Sequence, residues 1–172
     1  MPTLVLTVIG DDRSGLVRSL ADVVAAHEGN WERSQMAELA GAFAGIVVVR
    51  LPAAQVDSFK DAVAGLDGLT ITAHDADAEV AAAPAALLRL ELLGNDRPGI
   101  VKELSGVLSD HGLSIEELET SIRDAPMSGG QLFEARIIAP VGPDADVESL
   151  RADLERLASE LMVDITVTDE TA

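Results

Sequence analysis

Apolar residues fall along this chain in two rhythms, and each rhythm occurs twice. The runs TLVLTVI at 3–9 and ALLRLELL at 86–93 are rich in leucine and β-branched residues and lead into a glycine, which predicts strands. Behind the first, Leu16, Val17, Leu20, Val23, Val24 and His27 recur three or four apart, and Ile100, Val101, Leu104, Val107, Leu108 and His111 repeat the pattern. That spacing predicts a helix with one buried face. Gly29 and Gly112 are expected to close these helices in the left-handed conformation. Next, NWERSQMAEL and FAGIVVVRL flank Ala40-Gly41 as a two-stranded hairpin. The counterpart SIEELETSI has glutamates that suit a helix, yet the repeat and the following RDAPMSGG favour a strand and a longer hairpin connection. Val56, Phe59, Val63 and Leu66, and later Val147, Leu150, Leu154, Leu157 and Leu161, return to helical spacing. LTITAH and VDITVT then close each half as strands.

Sliding the sequence on itself by 84 positions superimposes Gly10, Asp12, Arg13, Gly15, Val17 and Leu20 on Gly94, Asp96, Arg97, Gly99, Val101 and Leu104. Duplication accounts for this agreement, so the halves share one fold. The order β-α-β-β-α-β predicts an α+β chain of two ferredoxin-like βαββαβ domains, each a four-stranded antiparallel sheet with two helices on one face. The expected boundaries are 1–75 and 87–172. DADAEVAAAP, within the intervening 76–86 linker and its approach, has no clear period.

Twelve Lys and Arg stand against 30 Asp and Glu, a net charge of −18. Such a surface repels a phosphate backbone, so direct nucleic-acid binding is not expected, and an acidic membrane surface is disfavoured for the same reason. No apolar stretch approaches the roughly 20 residues of a membrane span. The start MPTLVL enters an apolar run without the basic opening of a signal peptide, which predicts a cytoplasmic protein. The absence of cysteine removes disulfides, thiolate metal sites and cysteine nucleophiles.

The candidate chemistry lies in the repeated loop, VIGDDRSGLV at 8–17 and LLGNDRPGIV at 92–101. A glycine-bracketed polar turn before a helix leaves unpaired backbone N–H groups where the helix dipole is positive, and anions are stabilised there. Gly15 and Gly99 let a ligand approach without a Cβ in the way. Pro98 suits a first helical turn, and Asp12 and Asp96 are placed to cap the helix or to meet a ligand ammonium. A purely structural turn, with aspartate as cap, arginine as surface ion pair and glycines as turn formers, accounts for the same string.

The loop string, its copy and the element order around each resemble ACT domains, and the tandem pair resembles the glycine cleavage system transcriptional repressor group. The resemblance implies a regulatory, non-enzymatic chain, without cofactor or metal, that binds a small amino acid, glycine or serine, at interfaces between paired domains. It also implies a homo-oligomer acting through a protein partner such as a transcriptional regulator of amino-acid metabolism, with DNA contact only indirect. The ligand residues it implies are Gly10, Asp11, Asp12, Arg13, Ser14, Gly15 and Leu16 with Asn30 and Trp31 in the first copy. In the second they are Asn95, Asp96, Arg97, Pro98, Gly99 and Ile100 with Ser114 and Ile115. Ser14 replaces the usual proline, and Ser114 the common asparagine, so the two copies depart from the pattern differently.

Other readings carry less. A P-loop needs lysine where Leu16 and Ile100 stand, and no Gly-x-Ser-x-Gly surrounds Ser14. DADAE at 75–79 opens like a calcium loop, but Val80 replaces its required glycine. His27 and His111 are expected to contact carbonyls at helix ends, and Trp31 to be buried. A ligand-free dimerisation module that docks onto a metabolic enzyme stays open as the alternative.

Overall fold

The structure, a computed structural model, describes residues 1–76, 86–125 and 130–171. Most of the expected linker and of the PMSGG segment lie outside those residues. The chain divides into two compact units, Met1–Ala81 and Ala82–Ala172.

In the first unit the elements are β1 (Thr3–Asp11), α1 (Leu16–Ala26), β2 (Asn30–Leu39), β3 (Ala42–Arg50), α2 (Val56–Ala64) and β4 (Thr70–Ala76), with a 3-10 turn at Ala53–Gln55. In the second they are β5 (Ala86–Asn95), α3 (Ile100–Asp110), β6 (Glu117–Asp124), β7 (Gln131–Val141), α4 (Val147–Leu161) and β8 (Val163–Thr171). The sheets run β2-β3-β1-β4 and β6-β7-β5-β8, antiparallel throughout. The split βαβ order is therefore present twice, and SIEELETSI supplies a strand as the repeat predicts. Ala76 and Ala86, the ends of the expected linker, belong to strands β4 and β5.

Alternation along the strands fixes which face meets the helices. Leu4, Leu6 and Val8 of β1, with Val47 and Val49 of β3, bury against Leu16, Leu20 and Val24 of α1 and Phe59 and Val63 of α2. Leu88, Leu90 and Leu92 repeat this against Ile100, Leu104 and Leu108 and the leucines of α4. Trp31 is half-buried against the first core, as its size suggests.

One helix end differs from expectation. Gly112 is left-handed at φ 72°, but in the first copy Glu28, at φ 56°, takes that conformation one residue before Gly29. Gly29 is needed for closeness instead, because a Cβ there would lie 2.5 Å from Leu51 Cδ2 and 2.9 Å from the Val24 carbonyl oxygen. At the Ala40-Gly41 turn both residues have positive φ, 52° and 83°, the primed geometry that suits a two-residue hairpin.

Candidate functional site

β1 delivers the chain to the end of its sheet at Asp11, and after four intervening residues α1 begins at Leu16. The loop is pinned at its entry: the Asp12 N–H donates to the Gly41 carbonyl at 2.8 Å, and Asp96 repeats this to Gln131 at 2.9 Å. At its exit Gly15 and Gly99 have φ of 94° and 96°, a region closed to most side chains. They are the N-cap residues, and neither helix has a side-chain cap. Asp12 and Asp96 are thus not caps, because a glycine cap this far into positive φ sets them outside the turn they would have to reach. Pro98 likewise precedes the helix, in the turn before Gly99.

The first intrahelical bonds are Ser19 N–H to the Gly15 carbonyl at 2.9 Å and Glu103 N–H to Gly99 at 3.0 Å. The amides of Leu16, Val17 and Arg18 accordingly have no helical acceptor. Leu16 is buried and anchors the turn, whereas Val17 is exposed. A cleft of about 310 Å³ opens at this helix start, lined by Asp12, Arg13, Gly15, Leu16, Val17, Arg18 and Phe43. On the other side of the loop a second cleft, about 430 Å³, is lined by Ile9, Gly10, Asp11, Ala42, Gly68, Leu69 and Thr70. Gly10 is held close here, since a Cβ would collide with the Gly68 carbonyl; Gly94 is held the same way against Val163.

The two copies aim their motif arginines differently. Arg13 crosses to the α2–β4 turn, where Nη2 donates to the Asp67 carbonyl at 2.7 Å and its carboxylate at 2.9 Å. The guanidinium lies against Gly68, which has no Cβ to obstruct it. Met162 occupies the matching helix–strand junction of the second domain, also with positive φ. Arg97 turns back and pairs with Glu103 at 3.2 Å. Glu103 stands in the first turn of α3, with Oε1 3.7 Å from the position of a Gly99 Cβ. The second helix start therefore carries an anion of its own. The repeat-equivalent residue is Ser19, whose hydroxyl donates to the Gly15 carbonyl at 3.1 Å, and α1 has no acid in its first turn.

Asn30 and Trp31 lie at the other end of the sheet. They are in register with Arg50 and Val49, which pair with Thr3 and Leu4, whereas Asp11 pairs with Ala42. Eight strand residues separate the two ends, about 26 Å. Ser114 and Ile115 precede β6, whose Glu117 pairs with Ile138, itself opposite Arg89 near the start of β5; Asn95 at the loop end pairs instead with Leu132. No single domain brings loop and strand-start residues to one small ligand. Phe43, Gly68 and Glu103 border the loops and were not singled out by sequence; only the Ser19/Glu103 contrast was visible there, at the repeat offset.

The histidines hold helices together. His27 Nδ1 lies 2.8 Å from the Val23 carbonyl, and its ring meets Phe59 edge-on at 5.6 Å. His111 departs from the expected carbonyl contact: its Nε2 lies 2.8 Å from Asp153 of α4. That hydrogen bond holds the Asp153 carboxyl below its usual range, with partial burial opposing and Arg156 assisting. Among the described residues no group of three or more His, Asp or Glu is placed to hold a metal ion, and no helix is long and apolar enough to cross a membrane.

The ACT-domain family profile matches residues 2–81 and again 87–168. A UPF0237 protein of Methanopyrus kandleri is 36% identical over 81 residues, 46% of this chain and 82% of that protein. A crystal structure of an unknown protein from Galdieria sulphuraria is 31% identical with a TM-score of 0.84, covering 99% of this chain and 98% of its own. A candidate glycine cleavage system transcriptional repressor shares the fold at 16% identity and a TM-score of 0.75, with the same coverage.

Proposed function

The chain belongs to the ACT-domain family through two tandem copies, and we propose that it is a cytoplasmic, non-enzymatic regulator that binds a small amino acid and passes the bound state to a protein partner. The partner fitting this reading is a transcriptional regulator of amino-acid metabolism, with the chain acting as a homo-oligomer. One observation carries the assignment of the ligand to the first copy: the start of α1 has open amides and no acid in its first turn, whereas Glu103 already supplies a carboxylate at the start of α3. Asp12 lines the same cleft as those amides. Amides for a carboxylate and an aspartate for an ammonium match the two ends of a free amino acid, glycine or serine. Arg13 holds the loop to the α2–β4 turn and so keeps that mouth in shape. Transmission would follow from differential affinity, the partner preferring the arrangement that the ligand stabilises.

The test is thermal melting against a panel of free amino acids. A ligand bound only by the folded chain stabilises it by ~2.7 kcal/mol at a hundred times its dissociation constant. Glycine or serine is expected to raise the melting temperature of the wild type and of Glu103→Ser, and Ser19→Glu is expected to abolish the response. A panel with no effect sinks the sensor reading and leaves the ligand-free module. A shift that survives Ser19→Glu moves the site elsewhere.

A further inference from the structure

The duplicated loop holds its motif arginine in two settings on one backbone. Gly15 and Gly99 have φ of 94° and 96° and the same ψ of −5°. Each loop is pinned at its entry by the same amide, Asp12 to Gly41 at 2.8 Å and Asp96 to Gln131 at 2.9 Å. What differs is the first helical turn beyond. In α3 that turn supplies the Glu103 carboxylate, and Arg97 Nη2 meets it at 3.2 Å. In α1 it supplies no acid, Ser19 standing at the equivalent position, and Arg13 reaches outward to Asp67 and lies over Gly68. The second copy thus displays where this arginine goes when a carboxylate sits at the helix start, and the first where it goes when none does.

We infer, resting on the amino-acid reading of that mouth, that Arg13 is a two-position switch: a ligand carboxylate at the start of α1 draws the guanidinium away from Asp67, and the α2–β4 turn loses its clasp. The resting contact is weak enough to yield. Asp67 is 96% and Arg13 51% exposed, so water already solvates both charges and the pair contributes little. A carboxylate at the helix start gains the amides and the dipole as well as the guanidinium, in a cleft that Arg13 already lines. Reach is not limiting, since Arg97 makes the equivalent contact from an equivalent loop.

Departure of Arg13 changes one side of the turn only. Gly68 has φ 79°, and a Cβ there would collide with the Arg13 guanidinium, so the arginine covers the turn directly. On the opposite side the Gly68 carbonyl stays against Gly10. The turn keeps its seat on β1 while the Asp67 carbonyl and carboxylate are freed, together an acceptor pair for a cationic group of a protein partner. The two states therefore present different surfaces, which is what a partner needs in order to prefer one of them. Glu103 holds Arg97 in the bound-like setting, so the second domain does not switch.

Amide NMR of the isotope-labelled full chain tests the swing first without ligand. Ser19→Glu places a carboxylate where α3 has Glu103, so the Gly68 and Leu69 amides should leave their wild-type positions, while the uncharged Ser19→Gln leaves them in place. Adding Arg13→Gln should erase the effect of Ser19→Glu, as expected of a coupled pair. In the wild type, glycine or serine should move Gly68 and Leu69 with the same midpoint as Leu16 and Val17, and sodium acetate should move them the same way at higher concentration. Asp67→Ala removes a competitor and should lower the glycine or serine midpoint by about two- to five-fold, the scale of a weak surface pair. Gly68 unmoved in Ser19→Glu, or moved equally with Arg13→Gln in place, overturns the switch. Ligand-dependent shifts at Leu16 and Val17 with Gly68 fixed overturn it too, and leave the amino-acid reading standing. Silence toward every amino acid sinks that reading and the trigger of the switch with it, even where Ser19→Glu shows the swing.

Discussion

Replacing Gly15 with alanine isolates one physical quantity. At φ 94° an added Cβ meets nothing within 4 Å, so the substitution creates no packing clash and its cost is backbone strain alone. An L-residue forced into left-handed conformation costs about 1–2 kcal/mol. In a domain of this size each kcal/mol moves the melting temperature by roughly 4–8 °C. Trp31 is the only tryptophan and packs on the first core, so its fluorescence follows unfolding of the domain that contains Gly15. The expected result is an earlier Trp31 transition in Gly15→Ala and partial recovery in Gly15→Asn, because asparagine tolerates positive φ better than alanine. Either an unchanged midpoint or an asparagine variant as costly as alanine would refute the claim that this turn depends on glycine for conformation.

Gly10→Ala should behave differently, since its Cβ meets a backbone carbonyl that cannot rotate away; an overpacking loss of about 1–3 kcal/mol is expected by urea denaturation followed at Trp31. Leu104→Ala removes a buried side chain of the second core and should lower that domain's stability by about 2–5 kcal/mol, read by circular dichroism, with native secondary structure retained before the transition. Asp153 is held below its unfolded value of 3.8 by the bond to His111, so that pair's contribution is complete above this value and lost as pH falls through the lower folded value. The stabilities of wild type and Asp153→Asn should therefore converge on the acid side of 3.8, with the wild type falling more steeply.

The alternation in TLVLTVI and the three-and-four spacing of Leu16, Leu20 and Val24 recorded burial directly, which is why the α+β architecture was readable. β6 was readable only through its duplicate, because its own glutamates argue for a helix and its edge position leaves every residue exposed. Local turn chemistry misled at Gly29, where Glu28 accepts left-handed strain so that Leu51 can pack against the glycine. Arginine partners were hidden for a different reason: Asp67 is 54 residues from Arg13, and only folding brings the α2–β4 turn beside the first loop. Asn30 and Trp31 follow the helix that carries the chain back along the sheet, so closeness in sequence to α1 placed them far from the loop in space.

On the proposed reading the open amides of the first helix start receive an amino-acid carboxylate, whereas the second start already carries the Glu103 carboxylate. Backbone amide NMR during a glycine or serine titration addresses it residue by residue. Saturable shifts are expected at Leu16, Val17 and Arg18, with Ile100, Val101 and Lys102 unmoved. Saturable shifts confined to other residues, or equal shifts at both helix starts, would contradict it.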